Sequence, residues 1–223
     1  MALDIVAQVG AITQRRLIND YRLPAPLWSS AVDDKQLRRV ESQYGTVLTL
    51  GRAGHALYPN AERLLGPAVA VDRAYQNDAL GLLEKEGYRL QRRKYQRLKN
   101  GQLGSHATYA VLHLPEAEAE WRLDRWSTEF GRNRPGGEQL GLCLLYATIR
   151  NGGPGTAQIR ALLKRHEQTI VEMAHPLIVA VPDLNAHRSL VREIQLQTGN
   201  PRCERGPRLR LIELPLPEIR KST

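Results

Sequence analysis

Cysteine and aromatic residues are scarce in this 223-residue chain, which holds two cysteines and a single phenylalanine. Cys143 and Cys203 stand far apart in unlike contexts. That excludes a disulfide-stapled scaffold and favours two reduced thiols. No apolar run reaches the eighteen residues that a membrane-crossing helix needs, so no membrane partner is expected. The opening MALDIVAQVG has neither a basic start nor a long apolar stretch. A secretory leader is therefore not expected, and a cytoplasmic location with access to nucleoid or plasmid is. Signatures of cofactor and metal chemistry are missing as well. His106, His113, His166, His175 and His187 are scattered, with no cysteine or acid at zinc spacing. The loop NGGPG at 151–155 lacks the lysine of a phosphate-binding loop. No Gly-x-Ser-x-Gly elbow occurs. The expectation is no cofactor, no metal and no catalytic residue.

Positive charge is what the chain has in excess. Its formal net charge is +9, with 32 Lys and Arg against 23 Asp and Glu, while 42% hydrophobic and 25% charged residues are ordinary for a globular protein. Such a balance favours an anionic partner, nucleic acid first. The excess is spread along the chain. Residues 88–99 concentrate it, with Arg89, Arg92, Arg93, Lys94, Arg97 and Lys99 and no acid. Tyr88 and Tyr95 interleave with these cations, and Asn100-Gly101 is a type I′ hairpin signal. The reading is a basic ribbon for phosphate contact. The competing reading is a solvated edge strand, since cations also guard edges against aggregation.

Ser30–Pro59 organises the first part of the chain. Ser30 suits a helix cap, and Leu37, Val40 and Tyr44 repeat at helical spacing up to Gly45. Lys35, Gln36, Arg38, Arg39 and Gln43 fall mainly on the other side of that predicted helix. TVLTL and HALYP then read as two strands across the turn GRAG, with Arg52 at the tip. Upstream, Leu3, Ile5, Val6 and Val9 predict a helix ending at Gly10. Thr13 predicts the cap of a second helix that carries Arg15 and Arg16. Three helices followed by a hairpin is the order of a winged helix-turn-helix, whose third helix enters the major groove and whose hairpin lies along the phosphates. Arg15 and Arg16 are placed for backbone phosphate.

Gly66-Pro67 marks the expected boundary, giving a DNA-binding domain over 1–66, an α/β domain over 67–215 and a loose tail over 216–223. Residues 69–86 predict a long helix, the most available apolar surface for a homodimer. HATYAVLHLP, LGLCLLYATIR, PLIVAVPD and RLRLIELP read as strands. TAQIRALLKRHEQTIVEMAH, capped by Thr156, and LNAHRSLVREIQLQTGN read as helices. The alternation argues an α/β layer with parallel pairing, and an α/β (α+β) protein overall.

LRRVESQYG and GRAGHALYPNA resemble the winged helix of the bacterial and plasmid replication-relaxation family. LLYATIRNG, IRALLKRHEQTIVEMAHP and LIVAVPD resemble that family's second domain, which is similar to the PD-(D/E)xK restriction-endonuclease fold. The resemblance implies a nuclease-like scaffold. Metal-dependent cutting needs converging carboxylates. Ala147 and Ile149 stand where the acids are expected, HATYAVLHL offers none, and Glu84, Glu86, Asp183 and Lys164 do not complete the set. The expectation is a scaffold without the reaction. The protein is then a double-stranded DNA-binding protein, a transcriptional regulator or plasmid replication-associated factor, contacting DNA through Arg15, Arg16, Lys35, Gln36, Arg38, Arg39, Gln43, Arg52, Arg92, Arg93, Lys94, Arg97 and Lys99. A metal-dependent DNA endonuclease and a protein-interaction module that recruits replication or repair machinery remain the alternatives.

Overall fold

A computed structural model describes residues 1–62, 66–97, 103–120, 141–166, 176–198 and 209–217, apart from the side chains of 95–97, 103–108 and 197–198. The chain opens with α1 (Ala2–Val9), β1 (Ala11–Thr13) and α2 (Gln14–Asn19). Thr13 caps α2 as expected, its hydroxyl accepting from the Arg16 amide at 3.2 Å. A short α3 (Ser29–Asp33) follows, then β2 (Leu37–Val40), β3 (Val47–Leu50) and α4 (Arg52–Leu57). The three strands form an antiparallel sheet in the order β1-β3-β2.

Two expectations fail in this region. The helix expected from Ser30 to Gly45 stops at Asp33, and Lys35 takes a left-handed φ of 58°. Leu37–Val40 is a strand paired with β3, Leu37 opposite Leu50 and Val40 opposite Val47. Both faces of the small sheet are covered, so one strand buries residues in both directions. Leu37 enters the cluster with Leu17, Leu48 and Leu50 under the helices, while Val40 and Tyr44 enter a different cluster on the opposite face. A three-residue spacing that imitates a helix is the result. The hairpin loop is therefore 41–46, and GRAG is the start of α4 rather than a turn. Its glycines permit close backbone approach: a Cβ on Gly51 would lie 2.2 Å from the Lys35 carbonyl oxygen, and one on Gly54 would lie 2.1 Å from that of Gln36.

The long α5 (Pro67–Lys85) lies between this sheet and a second one. The second sheet runs β4 (Arg89–Arg97), β5 (Leu103–His113), β6 (Leu142–Ala147), β7 (Leu177–Val181) and β8 (Leu209–Glu213), hydrogen-bonded in that order. β4, β5 and β6 are antiparallel neighbours, whereas β6, β7 and β8 are parallel. The parallel crossovers carry α6 (Thr156–Arg165) and α7 (Arg188–Thr198). Ile159, Leu162 and Leu190 from these helices pack with Val111, Leu144, Val179 and Val181 on the face away from α5. The expected apolar strands and the parallel pairing are present. Thr156 is the first residue of α6 rather than its cap, and its hydroxyl meets His187 Nδ1 at 3.0 Å. The Asn100-Gly101 turn, Cys203 and His175 lie outside the described residues. Among the described residues no helix is long and apolar enough to cross a membrane.

Because α5 has a sheet on each side, it is buried nearly all round from Ala70 to Leu80, including Asp72, Arg73, Gln76, Asn77 and Asp78. Asn77 Nδ2 donates to the carbonyls of Val9 at 2.9 Å and Ala11 at 2.6 Å, and its Oδ1 accepts from Arg93 of β4 at 2.5 Å. Asp78 Oδ2 accepts from the Tyr44 hydroxyl at 2.7 Å and from Thr13 at 3.3 Å. Asp72 Oδ1 accepts from the Thr148 hydroxyl and the Ile149 amide, both at 2.9 Å, and its Oδ2 meets Arg150 at 2.6 Å.

Burial holds the Asp78 carboxyl above its usual range, against the opposing pull of Tyr44, Arg16 and Arg15. A raised folded-state value means that the protonated form is favoured on folding. Its stabilisation is complete below the unfolded value near 3.8 and is lost as pH rises through the raised one. Asp78→Asn keeps an acceptor for Tyr44 without the buried charge. Urea unfolding should therefore show it at least as stable as the parent at neutral pH and less pH-dependent in mild acid. Asp78→Ala should lose about 2–3 kcal/mol, because two buried hydroxyls lose their acceptor. A strongly destabilised Asp78→Asn would mean that the Arg16 charge, not the hydrogen bonds, dominates the site.

Candidate nucleic-acid interface

The basic residues expected to share one reading helix are dispersed. α3 carries no cation, and Asp33 and Asp34 follow one another at its end. Lys35 is exposed in the turn after it, beside the half-buried Gln36. Arg38 and Arg39 are exposed on β2, an edge strand. Arg39 Nε pairs with Glu41 at 2.6 Å, and Glu41 also accepts from Thr46 at 2.8 Å. Gln43 donates to the Ile149 carbonyl at 3.2 Å, so the 41–46 loop faces the second sheet at the end of β6. Tyr44 fixes it there, its ring edge-on to Tyr75 at 5.0 Å. Arg52 is exposed at the first turn of α4.

Two further arginines are engaged within the fold. Arg16 donates to Asp20 at 3.0 Å and to the Asn77 carbonyl, and its guanidinium lies 3.9 Å from Asp78. It ties α2 to α5, while its neighbour Arg15 is exposed. Arg93 turns toward α5, where it meets Gln76 and Asn77. Arg92 and Lys94 are exposed. The side chain of Arg97, and Lys99 entirely, lie outside the described residues.

The β4–β5 register explains how neighbours in one basic run part company. Leu90 pairs with Leu112, but an irregularity then shifts the register so that Arg92 pairs with Val111, Arg93 with Ala110 and Lys94 with Tyr109. Val111 and Tyr109 lie on the α6 face, Leu112 and Ala110 on the α5 face. The bulge thus sends Arg92 and Lys94 to the α6 side.

On that side they meet a group which the sequence reading leaves as scattered residues. His166, the residue that ends α6, places Nε2 2.7 Å from the Tyr109 hydroxyl, the two rings edge-on at 4.8 Å. The Tyr146 ring lies 5.4 Å from that of Tyr109, and its hydroxyl accepts from Gln158 at 3.2 Å. The Arg165 charge acts on the Tyr109 hydroxyl, opposing the effect of burial. Burial raises the pKa of both tyrosines, so both are phenols near neutral pH. Burial, then Lys94 and Arg165, lower that of His166, which keeps it neutral. The cluster joins cations and hydrogen-bonding aromatic side chains on one face. Tyr146 is half-buried in the otherwise apolar strand LCLLYA.

Carboxylates do not gather in the same way. Asp183 caps the turn before α7, accepting from the Asn185 amide at 2.8 Å, and Glu86 pairs with Arg210 at 2.6 Å. Ala147 and Ile149 are buried. Among the described residues no three His, Cys, Asp or Glu side chains converge as a metal site requires. Comparison of the chain with protein-family models, with curated proteins and with solved structures finds no match.

The contrast between Arg15 and Arg16 is measurable. Arg16→Ala should lower unfolding free energy by about 2 kcal/mol, since it removes the bonds to Asp20 and the Asn77 carbonyl and the cation beside buried Asp78, whereas Arg15→Ala should stay within about 0.5 kcal/mol of the parent. Equal effects in a denaturant titration would contradict this placement.

Proposed function

We propose that the protein binds double-stranded DNA without cutting it, as a transcriptional regulator or plasmid replication-associated factor of the replication-relaxation kind, acting as a homodimer at the nucleoid or on a plasmid. The order α1-β1-α2-α3-β2-β3 with sheet order β1-β3-β2 supports a winged helix-turn-helix module. The order α5-β4-β5-β6-α6-β7, antiparallel and then parallel, supports a restriction-endonuclease-like scaffold. A second copy would double the contacts and raise affinity through effective concentration.

The observation that carries the reading is the edge of the second sheet. Arg92 and Lys94 stand exposed on the same face as Arg165, within a run, 88–99, that contains no acid. Side chains of this type neutralise phosphates and release counterions. The main grip is therefore assigned to β4 and the end of α6. Arg15, Lys35, Arg38 and Arg52 supply exposed phosphate contacts from the N-terminal module. Base reading by α3 carries less weight, because its surface offers serines and aspartates rather than a basic face. Arg16, Arg93 and Gln43 are held by intramolecular partners and are left out of the proposed contact surface.

The test is fluorescence anisotropy of labelled duplexes across a salt series. Arg92→Glu with Lys94→Glu should weaken duplex binding by about tenfold or more and reduce the log–log salt slope by about 2, with the thermal transition unmoved. Undiminished affinity in this variant would refute the assignment to β4. Failure of the parent to bind any duplex at moderate salt would refute DNA binding and favour the protein-interaction reading.

A further inference from the structure

We propose that Lys94, Arg165 and His166 form a phosphate-binding subsite seated on Tyr109 and Tyr146, and that His166 takes up a proton when a phosphate group enters. This rests on the DNA-binding reading and deepens it by naming where phosphate is held. Among the described residues the groups around His166 come from four elements. Lys94 comes from β4, Tyr109 from β5, Tyr146 from β6, and Arg165 with Gln158 from α6. Among the described residues the carboxylate that influences this cluster is Asp72, which acts on Tyr146 and is occupied by Thr148, the Ile149 amide and Arg150.

Nε2 is the ring nitrogen engaged with the Tyr109 hydroxyl, at 2.7 Å. Imidazolium carries an N–H on both ring nitrogens, so protonation supplies a donor at Nδ1 that Tyr109 does not use. Ammonium, guanidinium and imidazole N–H together suit a tetrahedral oxyanion better than a planar or apolar ligand. Lys94 and Arg165, which add to burial in lowering the His166 pKa, would be screened by an anion beside them. Removing their repulsion and adding a negative charge both favour imidazolium, which supplies one more charged donor. Anion binding and protonation are therefore coupled, and each strengthens the other. The phosphate is either a backbone diester or the monoester of a DNA end. Both have the same chemistry at the subsite, and the dianionic monoester has the stronger field.

The experiment uses the full chain and follows the histidine ring resonances by NMR against pH, with His166→Gln providing the assignment. The parent is titrated alone, with inorganic phosphate, and with duplexes that carry or lack a 5′-phosphate. The expected result is a rise of about one unit in the His166 pKa with phosphate or duplex, and duplex affinity up to about tenfold stronger in mild acid than in mild alkali. That pH dependence should disappear in His166→Gln. A larger shift with the 5′-phosphorylated duplex identifies an end-binding site, and equal shifts identify a backbone site. The proposal is overturned if the His166 resonance ignores both probes, or if His166→Gln keeps the parent's pH dependence. Duplex binding with a silent His166 defeats the subsite and leaves DNA binding standing. A response to inorganic phosphate without binding of any duplex keeps the subsite and defeats the DNA reading. Should His166→Gln fail to fold, the parent titration with inorganic phosphate decides the matter alone.

Discussion

A helix enclosed between two sheets has no solvent face on which to put its polar residues, and the arrangement of this molecule follows from how α5 meets that constraint. Asn77, Asp78 and Asp72 on its buried surface are matched in different directions. Asn77 donates to the Val9 and Ala11 carbonyls at one edge of the small sheet and accepts from Arg93 of the large one. Asp78 holds Tyr44 of the hairpin loop, and Asp72 closes the end of β6. Apolar contact is indifferent to small rotations of the helix, whereas these bonds are not. Leaving any of them unmade would strand a buried polar group at a cost of about 1–3 kcal/mol. The relative placement of the two sheets is specified by this seam, while the alanines and leucines beside it supply adhesion.

The same constraint separates what could be read from the sequence from what could not. LCLLYA and LIVAV were legible as buried strands, because both faces of the large sheet are covered and the apolar run is continuous. That condition also hid β2, a four-residue edge strand. With Leu37 buried on one face, Val40 on the other and Arg38 and Arg39 exposed between them, it carries the i, i+3 signature of a helix. α4 was hidden for another reason. Gly51 and Gly54 look like turn residues, yet they serve a close approach to Lys35 and Gln36, which spacing along the chain does not encode.

Position in a basic run says little about availability. Arg92, Arg93 and Lys94 are consecutive and chemically alike, but a register shift and the two-residue period of a strand give them opposite destinations. Arg15 and Arg16 divide in the same way on a helix, one to solvent and one into the crevice against α5. The cluster at the end of α6 was illegible for a simpler reason. Tyr109, Tyr146 and His166 are brought together by an antiparallel pair and a crossover, and no local pattern joins them.

The electrostatics of that face bear on the proposal that the protein binds DNA rather than cuts it. Hydrolysis by divalent metal depends on carboxylates that attract the ion and offset its charge. The strand positions expected to supply them hold the buried aliphatics Ala147 and Ile149. Asp72, the carboxylate nearest that strand end, already accepts two hydrogen bonds and an ion pair. Lys94 and Arg165 add a positive field that, after burial, lowers the His166 pKa further. A field of that sign repels a second cation and attracts phosphate directly. On the proposed reading the side chains would take over the charge neutralisation that a metal ion performs, but not the activation of water, because among the described residues the cluster of cations and phenols has no carboxylate to position one.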